Sequence, residues 1–130
     1  MKALSLDHLV LSVADLDITC EFYARVLGMQ VVNFTSGGIA RRALGFGEQK
    51  INLHKVGAEF EPKASNPTPG SADLCLIVDQ PMDQVIATLQ ANDVAVVEGP
   101  VQRTGATGPI QSVYFRDPDG NLIEASNDVA

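Results

Sequence analysis

A chain of 130 residues, 45% hydrophobic and 19% charged, has the balance of one soluble globular domain long enough to bury a core. Its net charge of −7 excludes nucleic acid and anionic membrane surfaces as main partners, since both would repel it. No apolar run reaches the length of a membrane span. Asp7, His8 and Asp15 interrupt any signal-like stretch, and Cys20 and Cys75 form no disulfide framework, so a reducing cytoplasm is the expected setting.

Residues 6–13 alternate, with Leu9, Leu11 and Val13 on one face and His8, Val10 and Ser12 on the other, the pattern of a strand between a helix and a cavity or mixed core. Asp15 is placed to cap a helix over 16–27, whose Phe22, Tyr23, Val26 and Leu27 form an apolar stripe, and Gly28 suits its C-terminal exit. Residues 29–34 read as a second strand. Segments 39–46 and 50–56 read as a hairpin around Gly47, with Asn52 and His54 on one side of the last strand. Arg41 and Arg42 fall on opposite sides of their strand, so at most one points inward.

Residues 58–72, with Pro62, Pro67, Pro69 and Gly70 and no apolar period, read as a linker. The pattern then restarts. Residues 73–78 form a strand, Pro81 opens a helix with Met82, Val85, Ile86 and Leu89 as its apolar face, and 94–97 form another strand. Residues 99–109 read as a loop. Its Arg103-Thr-Gly-Ala-Thr-Gly108 portion is either a lid for an anionic substrate or a surface connection, and it lacks the lysine and helix of a phosphate-binding loop. A closing hairpin over 112–124 turns at Asp117-Pro-Asp-Gly120.

The restart is a repeat. Offset by 65, His8 falls on Asp73 and Val13 on Val78, and a small register change lays Asn52 on Glu124. Each half therefore reads β-α-β-β-β. The predicted fold is α+β: two βαβββ modules forming an open, cup-like barrel within one domain, with module 1 at about 5–57, the linker at 58–72 and module 2 at about 73–127. His8 and Asp73 occupy equivalent inner-face positions in the first strand of each half, and Asn52 and Glu124 do so in the last. An imidazole with carboxylates suits a divalent ion such as Mn, Fe, Ni or Zn. Two carboxylates also offset the ion's charge, which lets them sit in an apolar cup. Against this stand plainer readings: Asp73 as a cap after the linker, Cys75 as a small filler, and Ser112 and Tyr114 as mere lining.

Three stretches carry a family resemblance: Leu6-Asp-His-Leu-Val-Leu-Ser-Val13, Glu21-Phe-Tyr-Ala-Arg-Val-Leu-Gly28, and Phe115-Arg-Asp-Pro-Asp-Gly-Asn-Leu-Ile-Glu124. Through them the chain resembles the vicinal oxygen chelate superfamily of glyoxalases, bleomycin-resistance proteins and extradiol dioxygenases. It is most similar to small glyoxalase-domain-containing proteins, through Lys50-Ile-Asn-Leu-His54 and Pro67-Thr-Pro-Gly-Ser-Ala-Asp-Leu-Cys75. The resemblance implies one divalent metal ion per site, held by His8, Asp73 and Glu124, with Asp73 where many members carry histidine. Asn52 stands where glyoxalase I enzymes carry a glutamate that is both ligand and base, so His54 becomes a candidate metal ligand or base, beside Glu124. Asn52, Arg103, Ser112 and Tyr114 are the candidate substrate contacts. Val10 replaces the threonine of the fosfomycin enzymes.

The implied function is a metal-dependent lyase or isomerase of the glyoxalase (lactoylglutathione lyase) type. It would chelate a small oxygenated metabolite through two oxygens on the ion, in a homodimer. One alternative is a metal-free protein that sequesters its ligand, of the bleomycin-resistance type. Such proteins stack their ligands on aromatic rings, whereas tryptophan is absent here and aromatics are 5% of residues. The other alternative is an Fe(II) extradiol-type dioxygenase.

Overall fold

The computed structural model describes residues 1–129 of the chain. The backbone divides into two units, Met1–Pro69 and the part from Gly70 on. In the first, β1 (His8–Val13), α1 (Leu16–Leu27), β2 (Gln30–Ser36), β3 (Ile39–Phe46) and β4 (Gln49–Lys55) make a sheet of order β1-β4-β3-β2. The two hairpins pair antiparallel, whereas β1 returns to lie parallel to β4. The helix starts where predicted: Asp15 Oδ1 accepts from the Ile18 amide at 2.9 Å, and Thr19 Oγ1 donates to the Asp15 carbonyl at 2.8 Å. It stops at Gly28, whose φ of 64° is left-handed and whose amide reaches the Ala24 and Tyr23 carbonyls.

Arg42 identifies which sheet face meets α1. It donates to Asp17 at 2.6 Å from a position opposite Leu53, so Leu53, Leu44, Ile51 and the Leu11 and Val13 of β1 form the helix side. These apolar residues are all buried, together with Cys20, Phe22, Tyr23 and Val26 of α1. Each buried large apolar side chain contributes about 1.5–3 kcal/mol relative to exposure. The other face carries His8, Val10, Ser12, Lys50, Asn52, His54, Arg41 and Phe34.

The second unit repeats the plan with β5 (Asp73–Ile77), α2 (Met82–Ala91), β6 (Glu98–Thr104), β7 (Pro109–Arg116) and β8 (Leu122–Asp128), in the order β5-β8-β7-β6. Again the first strand lies parallel to the last. Val10 pairs with Asn52 in one unit and Cys75 with Glu124 in the other, so His8 and Asp73, each two residues earlier, are true equivalents. Each unit thus has the β-α-β-β-β order read from the sequence, although the second strand of the second unit lies later than the offset of 65 placed it. The core combines Val113, Phe115, Ile123 and Ala125 with Met82, Val85 and Leu89 of α2.

Two boundaries differ from expectation. Residues 94–97 are not a strand; β6 begins at Glu98 and runs through most of the stretch read as a loop, leaving 105–108 as the connection. The reason is Gly99-Pro100, a pair that ordinarily breaks strands. Here it sits in a register shift between Glu98 and Val101 on the sheet's edge strand, where a missing amide donor is tolerated. Pro81 is the N-cap of α2 rather than its first helical residue.

Candidate functional site

In the first unit the face away from α1 holds three of the expected residues. His8 is exposed at the start of β1, and its Nδ1 lies 2.8 Å from Asp7 Oδ1. A carboxylate oxygen accepts, so Nδ1 carries the proton toward Asp7, the kind of tether that orients histidines which ligate metals. Asn52 is buried between Val10 and Ala43, and its Oδ1 has no hydrogen-bond partner. His54 is buried one same-face step on, 4% exposed. Its Nε2 lies 2.9 Å from Arg41 Nη2. A guanidinium can only donate, so this nitrogen accepts and its lone pair is already engaged.

Arg41 therefore points to the same side as His54, and Arg42 takes the helix side. The guanidinium of Arg41 lies 5.3 Å from the Phe34 ring centre and 4.7 Å from that of Phe60, and His54 meets Phe60 edge-on at 5.2 Å. Lys50 Nζ stands 4.3 Å from the Phe34 ring centre. Desolvation pushes the His54 pKa below its ordinary value, and the Arg41 charge pushes the same way against a smaller opposing effect of Glu59. The folded protein thus resists a proton that the unfolded chain accepts near pH 6.5. Stability should accordingly fall as pH drops through that value and level off below the folded pKa, with a slope of at most about 1.4 kcal/mol per pH unit from this group. Denaturation of His54→Gln and the parent across pH 7.5–5 checks it: the parent's curve should be the steeper.

In the second unit, the corresponding face gathers five more candidates. Ser112, fully buried on β7, donates to Glu124 Oε2 at 2.5 Å and shares a 2.7 Å hydrogen bond with Ser126. Ser126 in turn lies 3.3 Å from Cys75 Sγ. Tyr114 is directly opposite Glu124, and its hydroxyl accepts from Arg103 Nε at 3.0 Å. Arg103 also reaches Glu98 at 3.2 Å. Desolvation raises the Tyr114 pKa, partly opposed by Arg103 and reinforced by Glu124, so the phenol keeps its proton near neutrality. Cys75 is exposed as a residue, yet desolvation of its sulfur is the main cause that raises its pKa; Ser126 opposes it and Glu124 adds to it. The thiol stays protonated. Asp73 is exposed at the start of β5, opposite Leu122.

The expected residues thus fall into two sets, His8, Asn52 and His54 in one unit, and Asp73, Arg103, Ser112, Tyr114 and Glu124 in the other. Among the described residues no three His, Cys, Asp or Glu side chains gather closely enough to hold a metal ion. The donor chemistry nonetheless fits a divalent ion at two positions. His8 has one ring nitrogen tethered by Asp7, and Glu124 is a carboxylate held by Ser112 with Tyr114 and Cys75 also against it. The sequence reading missed Ser126, which the alternation Leu122, Glu124, Ser126 could have supplied. It also missed Phe60, which lies in the linker outside any periodic pattern.

Two βαβββ modules, each with a mixed four-stranded sheet, one helix and a polar face opposite it, define a two-module α+β protein of the glyoxalase type. The chain belongs to the Glyoxalase/Bleomycin resistance protein/Dioxygenase superfamily, whose family model matches residues 5–125. It is 57% identical over 121 residues to the virulence protein STM3117 of Salmonella typhimurium, covering 93% of this chain and 82% of that protein. The crystal structure of STM3117 superposes with a TM-score of 0.94 over 99% of this chain and 100% of that one, at 55% identity. The glyoxalase domain-containing protein RDO1 of Mycosarcoma maydis is 57% identical over 123 residues, 95% of this chain and 68% of that protein. A lactoylglutathione lyase from Agrobacterium tumefaciens is 25% identical, with a TM-score of 0.71 over 98% of this chain and 96% of that one. Among the described residues no helix is long and apolar enough to cross a membrane.

Proposed function

We propose that the protein is a divalent-metal-dependent lyase or isomerase of the glyoxalase type, acting on a small oxygenated metabolite in a homodimer. His8 and Glu124 would hold the ion, with Asp73 as third ligand and a second copy of the chain completing each ligand set. The observation that carries this reading is the pair of tethered donors, His8 fixed by Asp7 and Glu124 fixed by Ser112. Each is oriented by a hydrogen-bonded neighbour, the arrangement that tunes metal ligands. When bound, the ion supplies Lewis-acid polarisation of two adjacent substrate oxygens.

The chain's own residues supply positioning and proton handling. Tyr114, kept protonated, can donate to a substrate oxygen, and Arg103 braces its hydroxyl from behind. Asn52 has a buried amide oxygen that awaits a donor, such as a substrate hydroxyl. His54 is the base candidate, and it becomes basic at Nε2 only when the Arg41 contact is released.

Elemental analysis tests the metal. The parent protein supplied with Zn, Ni, Mn or Fe should carry about one ion per subunit, and His8→Ala and Glu124→Gln should each lose it while remaining folded. A parent that takes up none of these ions sinks the enzyme reading. It would leave the second reading, a metal-free ligand-binding protein, which the ring-lined cavity of the first unit favours. Methylglyoxal with glutathione is the first substrate pair to assay, and sedimentation measures the dimer.

A further inference from the structure

The first unit contains a cavity of about 510 Å³ bordered by Phe34, Arg41, Arg42, Lys55 and Phe60, among others. Its cations are unequally provided for. Arg42 is neutralised by Asp17 at 2.6 Å. Arg41 has no carboxylate within ion-pair reach among the described residues; its contacts are a neutral imidazole and two aromatic rings, and its buried Nε has no acceptor. A buried donor left unmade costs about 1–3 kcal/mol, more on a charged group. In a chain of net charge −7 there was no shortage of carboxylates to place beside it.

We propose that this cavity is a recognition site for a small organic carboxylate with a flat apolar body, whose acid group is held by Arg41. The guanidinium is planar and forked, suited to bidentate carboxylate binding, and two aromatic rings lie against it. Phe34 and Phe60 give the cavity an aromatic border suited to an apolar body, and Lys55 adds positive charge there. Phe60 is carried by the segment after β4 rather than by a strand, so its ring is the wall that yields when an acid reaches the buried Nε. This assignment concerns the first unit alone and does not depend on whether a metal binds at His8.

Benzoate, its neutral isostere benzamide, and acetate test the proposal by NMR titration of the full chain with assigned resonances. Benzoate should bind at least tenfold more tightly than benzamide and perturb Phe34, Arg41, His54 and Phe60. Acetate should perturb the Arg41 side chain more weakly. Arg41→Gln should remove the preference for benzoate, Arg41→Lys should keep part of it, and Phe60→Ala should weaken benzoate several-fold while leaving acetate unchanged. Equal binding of benzoate and benzamide, perturbations confined to the unit from Gly70 on, or no cavity response to either acid would each overturn the assignment. The comparison of ligands on the parent protein decides the matter even if the Arg41 variants fail to fold.

Discussion

Replacing Gly99 with alanine should destabilise the protein by about 3–5 kcal/mol and disturb the serine–glutamate pair on β7 and β8. Gly99 has a φ of 109°, a conformation that L side chains rarely adopt. A Cβ there would collide with the Ser112 carbonyl oxygen and stand 3.0 Å from Val113 Cα, both backbone atoms of the neighbouring strand. No rotamer change relieves a backbone clash, so β6 and β7 must separate or shift. Ser112 hangs from the peptide that would move, and its 2.5 Å bond to Glu124 tolerates little displacement. Chemical denaturation gives the stability loss; metal affinity of the surviving folded fraction, if the protein loads metal, reads the disturbance at Glu124. A stable Gly99→Ala protein with unchanged denaturation midpoint would show that the bulge is adaptable.

The second large effect is expected at Asn121, which is 1% exposed. Its side chain donates to Asp117 Oδ2 at 2.7 Å and accepts from the Ala72 amide at 2.9 Å, while Asp117 Oδ1 accepts from the Asp119 and Asn121 amides. One amide side chain thus ties the final turn to the approach of β5, the strand that carries Asp73. Asn121→Ala removes a charge-assisted hydrogen bond worth about 1.5–3 kcal/mol and deprives the Ala72 amide of its acceptor, so a loss of about 3–5 kcal/mol is expected. Asn121→Asp is close in shape but sets a second carboxylate against Asp117, and should be at least as damaging at neutral pH. If Asn121→Asp instead matches the parent in thermal denaturation, the clamp is not what holds the turn.

Much of this was legible in the residues because periodicity reports faces directly. The alternation of residues 8–13 separated His8 from Leu9 and Leu11, and the repeat matched Asn52 with Glu124, a pairing that the strand registers reproduce. The Asp117-Pro-Asp-Gly turn was readable because side-chain acceptance by aspartate and the φ of 89° at Gly120 are local properties. Features that depend on non-local pairing were less accessible. Gly99-Pro100 looks like a loop until an edge position and a bulge accommodate it within β6. Arg41 and Arg42 carry the same local signal, and Asp17, Phe34, Phe60 and His54 decide between them only through tertiary contacts. The engagement of His54 by Arg41 follows from the same pairing and could not be read from spacing.

The parallel seams, His8 beside Lys50 and Asp73 beside Leu122, also bear on the order of assembly. Antiparallel hairpins close over a few residues, whereas each of these seams closes only after nearly a whole module has been made. During synthesis the strand bearing His8 leaves the ribosome first yet has no partner until β4 follows, and β5 waits likewise for β8. Both strands are exposed to mispairing with neighbouring nascent chains during that interval, and the acidic residues at their starts, Asp7 just before β1 and Asp73 opening β5, are charges of the kind that discourage it.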